Sequence, residues 1–359
     1  MTSRKVSTTP LSRRSLLKAG GVAAAYTALS PMILRSAEAA DDKLLYVNTW
    51  GGTWTAAEKK HFFEPFTAET GIQIRTVEPV SLARLKATVQ AQTHEFDVIS
   101  IASVEATQAF NEGLVETFDA DFPRDKIWKG GIVGNYGIKS IANGQPMIFN
   151  KNKFPNGGPQ SWADFWDVKK FPGNRSLLNA PAPTLGYALL ADGVALDKIF
   201  PMDLDRAFKK LKELKPHIKV WWTQGGQSEQ LMKDGEVDLM TVYSSRAKPI
   251  IQAGVPLGFN WNQTYNDVGS WMITKNSPRK AAAQKFLEFI QRPIPHAGFA
   301  TEIQYGATNP EAIKLMKPED VEQTPTAPSH FHKTFQIDTV WMAPKMPEIR
   351  ERWAEFMAG

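Results

Sequence analysis

The sequence predicts an α/β protein of two lobes, each a mainly parallel sheet flanked by helices. Two observations point there. The chain has 359 residues, more than one hydrophobic core usually organises, and 42% of them are apolar, an ordinary globular balance. From Lys43 onward, short apolar runs alternate with helix-period stretches, the pattern of βαβ units feeding a parallel sheet.

Taken in order, Lys43-Leu44-Leu45-Tyr46-Val47 is a short strand ending at Asn48, and Gly51-Gly52 follows as a turn. Residues 55–70 read as a helix with Phe62, Phe63 and Phe66 on one face, stopped by Gly71. Residues 72–77 alternate as a strand, 82–92 are helical, and 96–101 form a buried strand. The stretch 131–159 is rich in Gly and Asn around an apolar strand at 146–150. Ser161 is placed to cap the helix that begins Trp162-Ala163-Asp164-Phe165. Residues 206–214 are amphipathic, and 235–243 pass from a helix end into a strand. Residues 270–274 are a further strand, and 278–291 a helix closed by Pro293 and Pro295. The Pro-rich stretch 318–347 is expected to wrap a lobe surface. There is no internal repeat.

The first forty residues have the layout of a secretory leader. A basic segment precedes an apolar stretch from Ala19 to Leu34, and Ala37-Glu38-Ala39 offers a small-x-small cleavage site. The apolar stretch is interrupted by Gly20, Gly21, Ser30 and Pro31, too short and weak to span a bilayer. Just ahead of that stretch, Ser12-Arg13-Arg14-Ser15-Leu16-Leu17-Lys18 resembles the twin-arginine export consensus. Residues 1–40 are therefore expected to be a twin-arginine signal peptide, leaving a soluble periplasmic protein. The formal charge of +5 belongs to this leader. Removing its six basic residues and one acid from totals of 42 and 37 leaves 36 of each. A neutral mature chain gives no electrostatic basis for nucleic-acid binding. The absence of cysteine removes both disulfides and a lipid-anchoring thiol.

Enzyme signatures are missing: no phosphate-binding loop, no dinucleotide fingerprint, no nucleophile elbow and no zinc-protease helix. His330-Phe331-His332 is the one close histidine pair and reads as surface imidazoles. With no Tyr-Tyr pair and no Cys, neither a metal nor any other cofactor is expected.

The order of several segments is similar to that of the polyamine-type extracellular solute-binding proteins of ABC importers. These segments are Asn48-Thr49-Trp50-Gly51-Gly52, Phe96-Asp97-Val98-Ile99, Phe149-Asn150-Lys151 and Ser161-Trp162-Ala163-Asp164-Phe165-Trp166. Lys170-Phe171-Pro172-Gly173, Gly235-Glu236-Val237-Asp238, Tyr243-Ser244-Ser245-Arg246-Ala247 and Ile303-Gln304-Tyr305-Gly306-Ala307-Thr308-Asn309 continue the series. The resemblance implies the two-lobed type II periplasmic binding fold, with lobes closing by a hinge on a ligand in the cleft. Lobe 1 would take residues 41–145 plus 272–335, and lobe 2 residues 146–271 plus 336–359, with crossings near Gln145 and near Trp271. Transient contact with an ABC permease and a monomeric state are implied as well.

Candidate ligand-binding residues follow from strand ends, because open α/β sheets bind beyond the carboxyl ends of their strands. Trp50 and Trp54 flank the Gly51-Gly52 turn, whose backbone could approach a ligand closely. In the family an aromatic at the Trp50 position lines the cleft. Ser103 follows another strand terminus, Tyr187 lies early in a helix of the second lobe, and Tyr305 sits in the last family-like segment. Tyr243 and Arg246 end a strand, and a guanidinium there can grip a carboxylate through two hydrogen bonds. Asp267 stands where polyamine binders supply an aromatic, Gly269 where they supply a carboxylate, and the string Asn179-Ala180-Pro181-Ala182-Pro183-Thr184 has no acid. A polyamine needs several carboxylates. One acid with one arginine better suits a zwitterion such as an amino acid; an anion ranks second and spermidine or putrescine third. A periplasmic enzyme on the same fold is the alternative of another class.

Overall fold

The computed structural model describes residues 43–359, so the leader expected over 1–40 lies outside the described residues. The chain opens with β1 (Leu44–Asn48) and α1 (Gly52–Glu58), which continues through a π-helical turn (Lys59–Phe63) into α2 (Glu64–Thr70). β2 (Gln73–Val77), α3 (Leu82–Ala91), β3 (Val98–Ile101), α4 (Ser103–Asn111), β4 (Ile132–Val133) and β5 (Gly137–Asn150) follow. Next come α5 (Trp162–Trp166), β6 (Arg175–Leu178), α6 (Pro181–Ala191), α7 (Leu204–Leu214), β7 (Ile218–Trp222), α8 (Gly225–Lys233), β8 (Leu239–Thr241), α9 (Ser244–Gln252) and β9 (Leu257–Ile273). Six helices complete the chain: α10 (Lys280–Phe289), α11 (Pro293–Ile303), α12 (Pro310–Ile313), α13 (Pro318–Val321), α14 (Thr339–Met342) and α15 (Met346–Ala358).

The strands form one sheet in the order β2-β1-β3-β9-β5-β8-β6-β7, with β4 against β5. β2, β1 and β3 run parallel at one end, and β8, β6 and β7 run parallel at the other. Between them, the long antiparallel strands β5 and β9 serve both lobes. Their register slips between Gln145 and Met147. Opposite that slip Gln263 adopts φ 58°, in the left-handed region. Trp162 holds it there by donating its backbone N–H to Gln263 Oε1 at 3.0 Å and its indole N–H to the Gln263 carbonyl at 2.9 Å. A non-glycine residue in that conformation needs such local bonding.

Parallel strands are buried on both faces, and each lobe accordingly has two apolar layers. In the first lobe Phe62, Phe66, Trp271, Phe286 and Phe299 cover one face, and Leu85, Phe96, Ile99 and Met272 the other. In the second, Trp162, Phe165, Tyr187, Leu211 and Trp353 oppose Trp222, Leu231, Met240 and Ile250. Arg175, almost wholly buried, donates to the carbonyls of Phe165, Asp167, Phe171 and Gly173 and so pins the α5–β6 loop. Among the described residues no helix is long and apolar enough to cross a membrane.

Local signals transfer well where capping chemistry is specific. Ser161 accepts from the Asp164 N–H at 3.1 Å, as its position before Trp162 implies. Three readings need correction. Pro293 does not close a helix; it opens α11, because proline at a first helical turn loses no hydrogen bond. The Gly- and Asn-rich stretch 131–159 holds a 14-residue strand, its polar residues facing β9 along the middle of the sheet. His330 is not a surface imidazole: it is buried, stacked on Trp261 at 4.5 Å, with Nε2 2.6 Å from the Thr324 carbonyl.

Candidate functional site

Residues following the parallel strands of the two lobes meet along the middle of the sheet. From the first lobe come the Thr49–Trp54 turn after β1, Ser103 after β3, and Tyr305 after α11. From the second come Tyr243, Ser245 and Arg246 after β8. Asp267, Tyr265 and Gln145 stand on the two shared strands.

The β1 end is anchored by Asn48, whose side-chain amide donates to the carbonyls of Val77 (2.8 Å) and Pro79 (3.1 Å). The chain then turns through Gly51 (φ 89°) and Gly52 (φ 60°), conformations that a side chain disfavours. At Gly51 a Cβ would also lie 2.8 Å from Glu78 Oε2. The turn leaves Trp50 45% exposed, an unusual position for an indole and one suited to a cleft wall. Trp54 is half-buried, edge-on to Phe299 (5.3 Å), Tyr305 (5.7 Å) and Trp50 (6.5 Å).

Ser103 is the first residue of α4 rather than its cap, and its hydroxyl donates to Asp267 Oδ1. The Ser103 backbone and the Tyr265 phenol also lie beside the buried Asp267 carboxylate and favour its charged form. The carboxylate therefore sits at the start of α4, where a helix favours an anion. Burial still pushes its acidity constant up, against the pull of those three groups.

Tyr243 and Tyr265 face Asp267, with Tyr187 and Tyr305 beyond them. Tyr265 precedes it by two residues and so shares its face of β9. Tyr187 is wholly buried, stacked on Trp162 at 3.8 Å, and its hydroxyl donates to Gln145 Oε1 at 3.3 Å. Its ring is thus part of the second lobe's core, with only the phenol reaching the shared strands. Tyr243 lies near Gln145 and feels both Asp267 and Arg246. Tyr305 lies near Ser245 of the opposite lobe and feels Arg246. Burial raises all four phenols, so none is ionised at neutral pH.

Arg246 is half-exposed and pairs with Glu229 of α8 at 2.8 Å. Its guanidinium lies over Gly225, where any Cβ would come within 2.9 Å. The lobes also meet through Lys248 and Asp320 (3.1 Å), Thr107 and Thr339 (2.8 Å), and Gln108 with the Ala343 carbonyl (3.5 Å). Two shallow depressions on the second lobe, one by Trp166 and Lys210 and one by Ile199 and Arg206, share no residue with this region.

The structure thus brings Ser103, Tyr243, Asp267 and Tyr305 into one connected cluster, with Arg246 at its edge and Trp54 behind Tyr305. Sequence reasoning missed Tyr265, Ser245 and Gln145 as site groups. The two-residue spacing of Tyr265 and Asp267 was a usable signal, whereas Gln145 is placed only by its pairing opposite Tyr265.

A model of bacterial extracellular solute-binding proteins matches residues 61–329, and one of twin-arginine signal sequences matches residues 10–30. The chain is 32% identical to the gamma-aminobutyric acid-binding protein of Pseudomonas aeruginosa, over 90% of this chain and 93% of that one. It is 25% identical to the spermidine/putrescine-binding periplasmic protein of Escherichia coli, over 85% and 87%. Among solved structures, an ABC transporter substrate-binding protein from Bradyrhizobium japonicum superposes with a TM-score of 0.83 at 35% identity, covering 88% of this chain and 99% of that one. The "Atu4243-GABA receptor" gives 0.80 at 34%, covering 87% and 97%. The type II architecture, the leader and these likenesses agree: the chain belongs to the bacterial extracellular solute-binding proteins, exported by the twin-arginine route to the periplasm, where it binds a small solute for an ABC permease and carries out no chemistry on it.

Proposed function

We propose that the solute is a small zwitterion of the γ-aminobutyrate type, its carboxylate gripped by Arg246 and its amine received near Asp267. The observation that carries this reading is the bracketing of Tyr243 by one cation, Arg246, and one buried anion, Asp267. A ligand with opposite charges at its two ends is complementary to that arrangement. The names of the Pseudomonas aeruginosa relative and of the Atu4243 structure add support. Trp50, Trp54 and the tyrosines supply aromatic walls for the methylene chain and the ammonium. Gly51 and Gly52 let the backbone approach, and Tyr187 and Tyr305 back the two sides.

Calorimetry on the mature protein with γ-aminobutyrate, putrescine and spermidine tests the assignment. Tight binding of γ-aminobutyrate with weak or absent binding of the diamines is expected. The reverse order would replace the zwitterion by a polyamine.

We further infer that the lobes hinge at the Gln145–Met147 register slip and at Gln263 on β9, ahead of Trp271, which pairs with Ser100 and Ile138 inside the first lobe. The chain crosses a third time between α13 and α14. Small-angle scattering is expected to give the mass of one chain and a smaller radius of gyration when γ-aminobutyrate saturates the protein. An unchanged radius at saturation would rule out closure.

A further inference from the structure

Glu58 is fully buried at the end of α1, where the helix widens into its π turn. Single π turns inside helices occur often at functional sites. Among the described residues no Lys, Arg or His pairs with this carboxyl. Its Oε1 accepts the Trp54 indole N–H at 2.6 Å, and its Oε2 lies against the Thr49 hydroxyl. Thr49 Oγ1 is 3.1 Å from Thr55 Oγ1, which is 2.9 Å from Glu78 Oε1. The Gly51 N–H donates to the same Thr55 oxygen at 3.0 Å. Two carboxyls and two hydroxyls therefore form one continuous path from beneath Trp54 to the glycine turn.

Counting hydrogens gives a direction in which every contact is a hydrogen bond. Glu78 is exposed, so its carboxylate is solvated and accepts from Thr55. Thr55 then spends its one hydrogen on Glu78, and Thr49 spends its own on Thr55. A protonated Glu58 then supplies the hydrogen between Oε2 and Thr49, whereas an ionised one would take the Thr49 hydrogen and leave the 3.1 Å contact to Thr55 unbonded. Its carbonyl oxygen stays free to accept from Trp54. Every donor is used once.

We propose that Glu58 is a positioning residue: as a neutral acid it heads a one-way hydrogen-bond relay, Glu58 to Thr49 to Thr55 to Glu78, that sets Trp54 and Gly51 for the cleft. The proposal rests on the reading of the Trp50–Trp54 turn as cleft wall. Trp54 carries the constraint onward, since its ring edge meets Tyr305, which lies near Ser245 of the other lobe. If Glu58 ionised, Thr49 would have to turn its hydroxyl back toward it and abandon Thr55.

Burial, reinforced by the Glu78 charge and opposed by the bonds from Thr49 and Trp54, raises Glu58 to about 8. The other charges facing this region are engaged elsewhere. Lys60 and His61 of the π turn pair with Glu302 of α11 at 2.5 and 2.8 Å. Arg84 of α3 donates to the Glu78 backbone carbonyl and to Glu95. A folded-state value above the unfolded 4.5 means that the group's stabilising contribution is complete below about pH 4.5 and is lost as pH rises through about 8.

Glu58→Gln tests the relay, because its amide oxygen can still accept from Trp54 and its NH₂ can still donate to Thr49. In ¹H–¹⁵N spectra of the ligand-free mature protein, the Trp54 indole resonance is assigned by its loss in Trp54→Phe. In the wild type it is expected to stay fixed below about pH 7 and to move with a midpoint near 8. In Glu58→Gln it stays fixed to about pH 9.5, beyond the ordinary range of any carboxyl. With γ-aminobutyrate as probe at about pH 6.5, Glu58→Gln should bind within about twofold of wild type, or ~0.4 kcal/mol at ~1.4 kcal/mol per decade. Above about pH 8 only the wild type should lose affinity. A Trp54 resonance that does not titrate, or that titrates equally in Glu58→Gln, overturns the proposal. So does a tenfold loss of affinity in Glu58→Gln at the lower pH, which would show that the charged form is needed. A titrating Trp54 in a protein that ignores γ-aminobutyrate supports the relay and overturns only the zwitterion reading.

Discussion

Arg246→Ala is expected to weaken γ-aminobutyrate binding about 30-fold, or ~2 kcal/mol at ~1.4 kcal/mol per decade. Truncating one member of a buried charge-assisted pair costs roughly 2–5 kcal/mol. The lower end applies here because the Arg246 side chain is 49% exposed and water screens what it holds. Arg246→Lys should recover little, since an ammonium lacks the planar fork that meets both carboxylate oxygens. Glu229 makes the test sharper. It pairs with Arg246 at 2.8 Å and competes for the same guanidinium. Glu229→Gln should therefore keep or improve binding if Arg246 serves the ligand. If Arg246 serves only as a surface ion-pair partner, both substitutions leave the calorimetric affinity unchanged. Asp267 gives the complementary signature. Its acidity constant is raised by burial, so its negative charge is lost at higher pH than for an exposed carboxylate. Affinity for an ammonium-bearing ligand should fall on acidification through that raised value, and Asp267→Asn should abolish this dependence along with most of the binding.

The fold was legible in the sequence because its parts announce themselves locally. The alternation of β1, α1, β2, α3 and β3 follows from apolar periodicity, and Ser161 and Gly71 mark helix ends through capping chemistry. What escaped was what depends on distant pairing. β5 is a long strand because β9 and β8 supply its hydrogen bonds, and nothing within residues 131–159 reports those partners. Much the same holds for the site. Strand ends pointed to Trp50, Ser103, Tyr243 and Arg246, since the carboxyl ends of parallel strands must converge on the cleft. They could not show that Tyr187 would be stacked into the core, that Arg246 would find Glu229, or that Asp267 would take the Ser103 hydroxyl. Glu58 was hidden for another reason. In a stretch reading Trp54-Thr55-Ala56-Ala57-Glu58-Lys59-Lys60, an acid before two lysines looks like a solvated helix face. Only the packing of α1 against β1 and α11 turns it inward.

Replacing Arg13 and Arg14 together by lysine should abolish most of the periplasmic pool, the largest effect expected of any substitution here. Charge alone does not predict this, because lysine keeps the basic character of the leader's first segment. The argument is geometric: a guanidinium presents a rigid fork of donors, and a receptor built for two of them is not satisfied by two ammonium groups. The apolar stretch that follows strengthens the inference. Gly20, Gly21, Ser30 and Pro31 dilute it, so the general secretory route, which relies on a strongly apolar core, offers a poor alternative. The match to twin-arginine signals spans residues 10–30 and contains both arginines. Cell fractionation with immunodetection reads the outcome, and precursor should collect in the cytoplasm with its leader intact. Mass spectrometry of the wild-type periplasmic form should place the new N-terminus near Ala40, after Ala37-Glu38-Ala39. A double-lysine variant that still fills the periplasm with processed protein would show that the apolar core, and not the arginine pair, directs export. In that case strengthening the core by Gly20→Leu and Gly21→Leu should raise the exported fraction further, whereas a twin-arginine substrate would gain nothing from it.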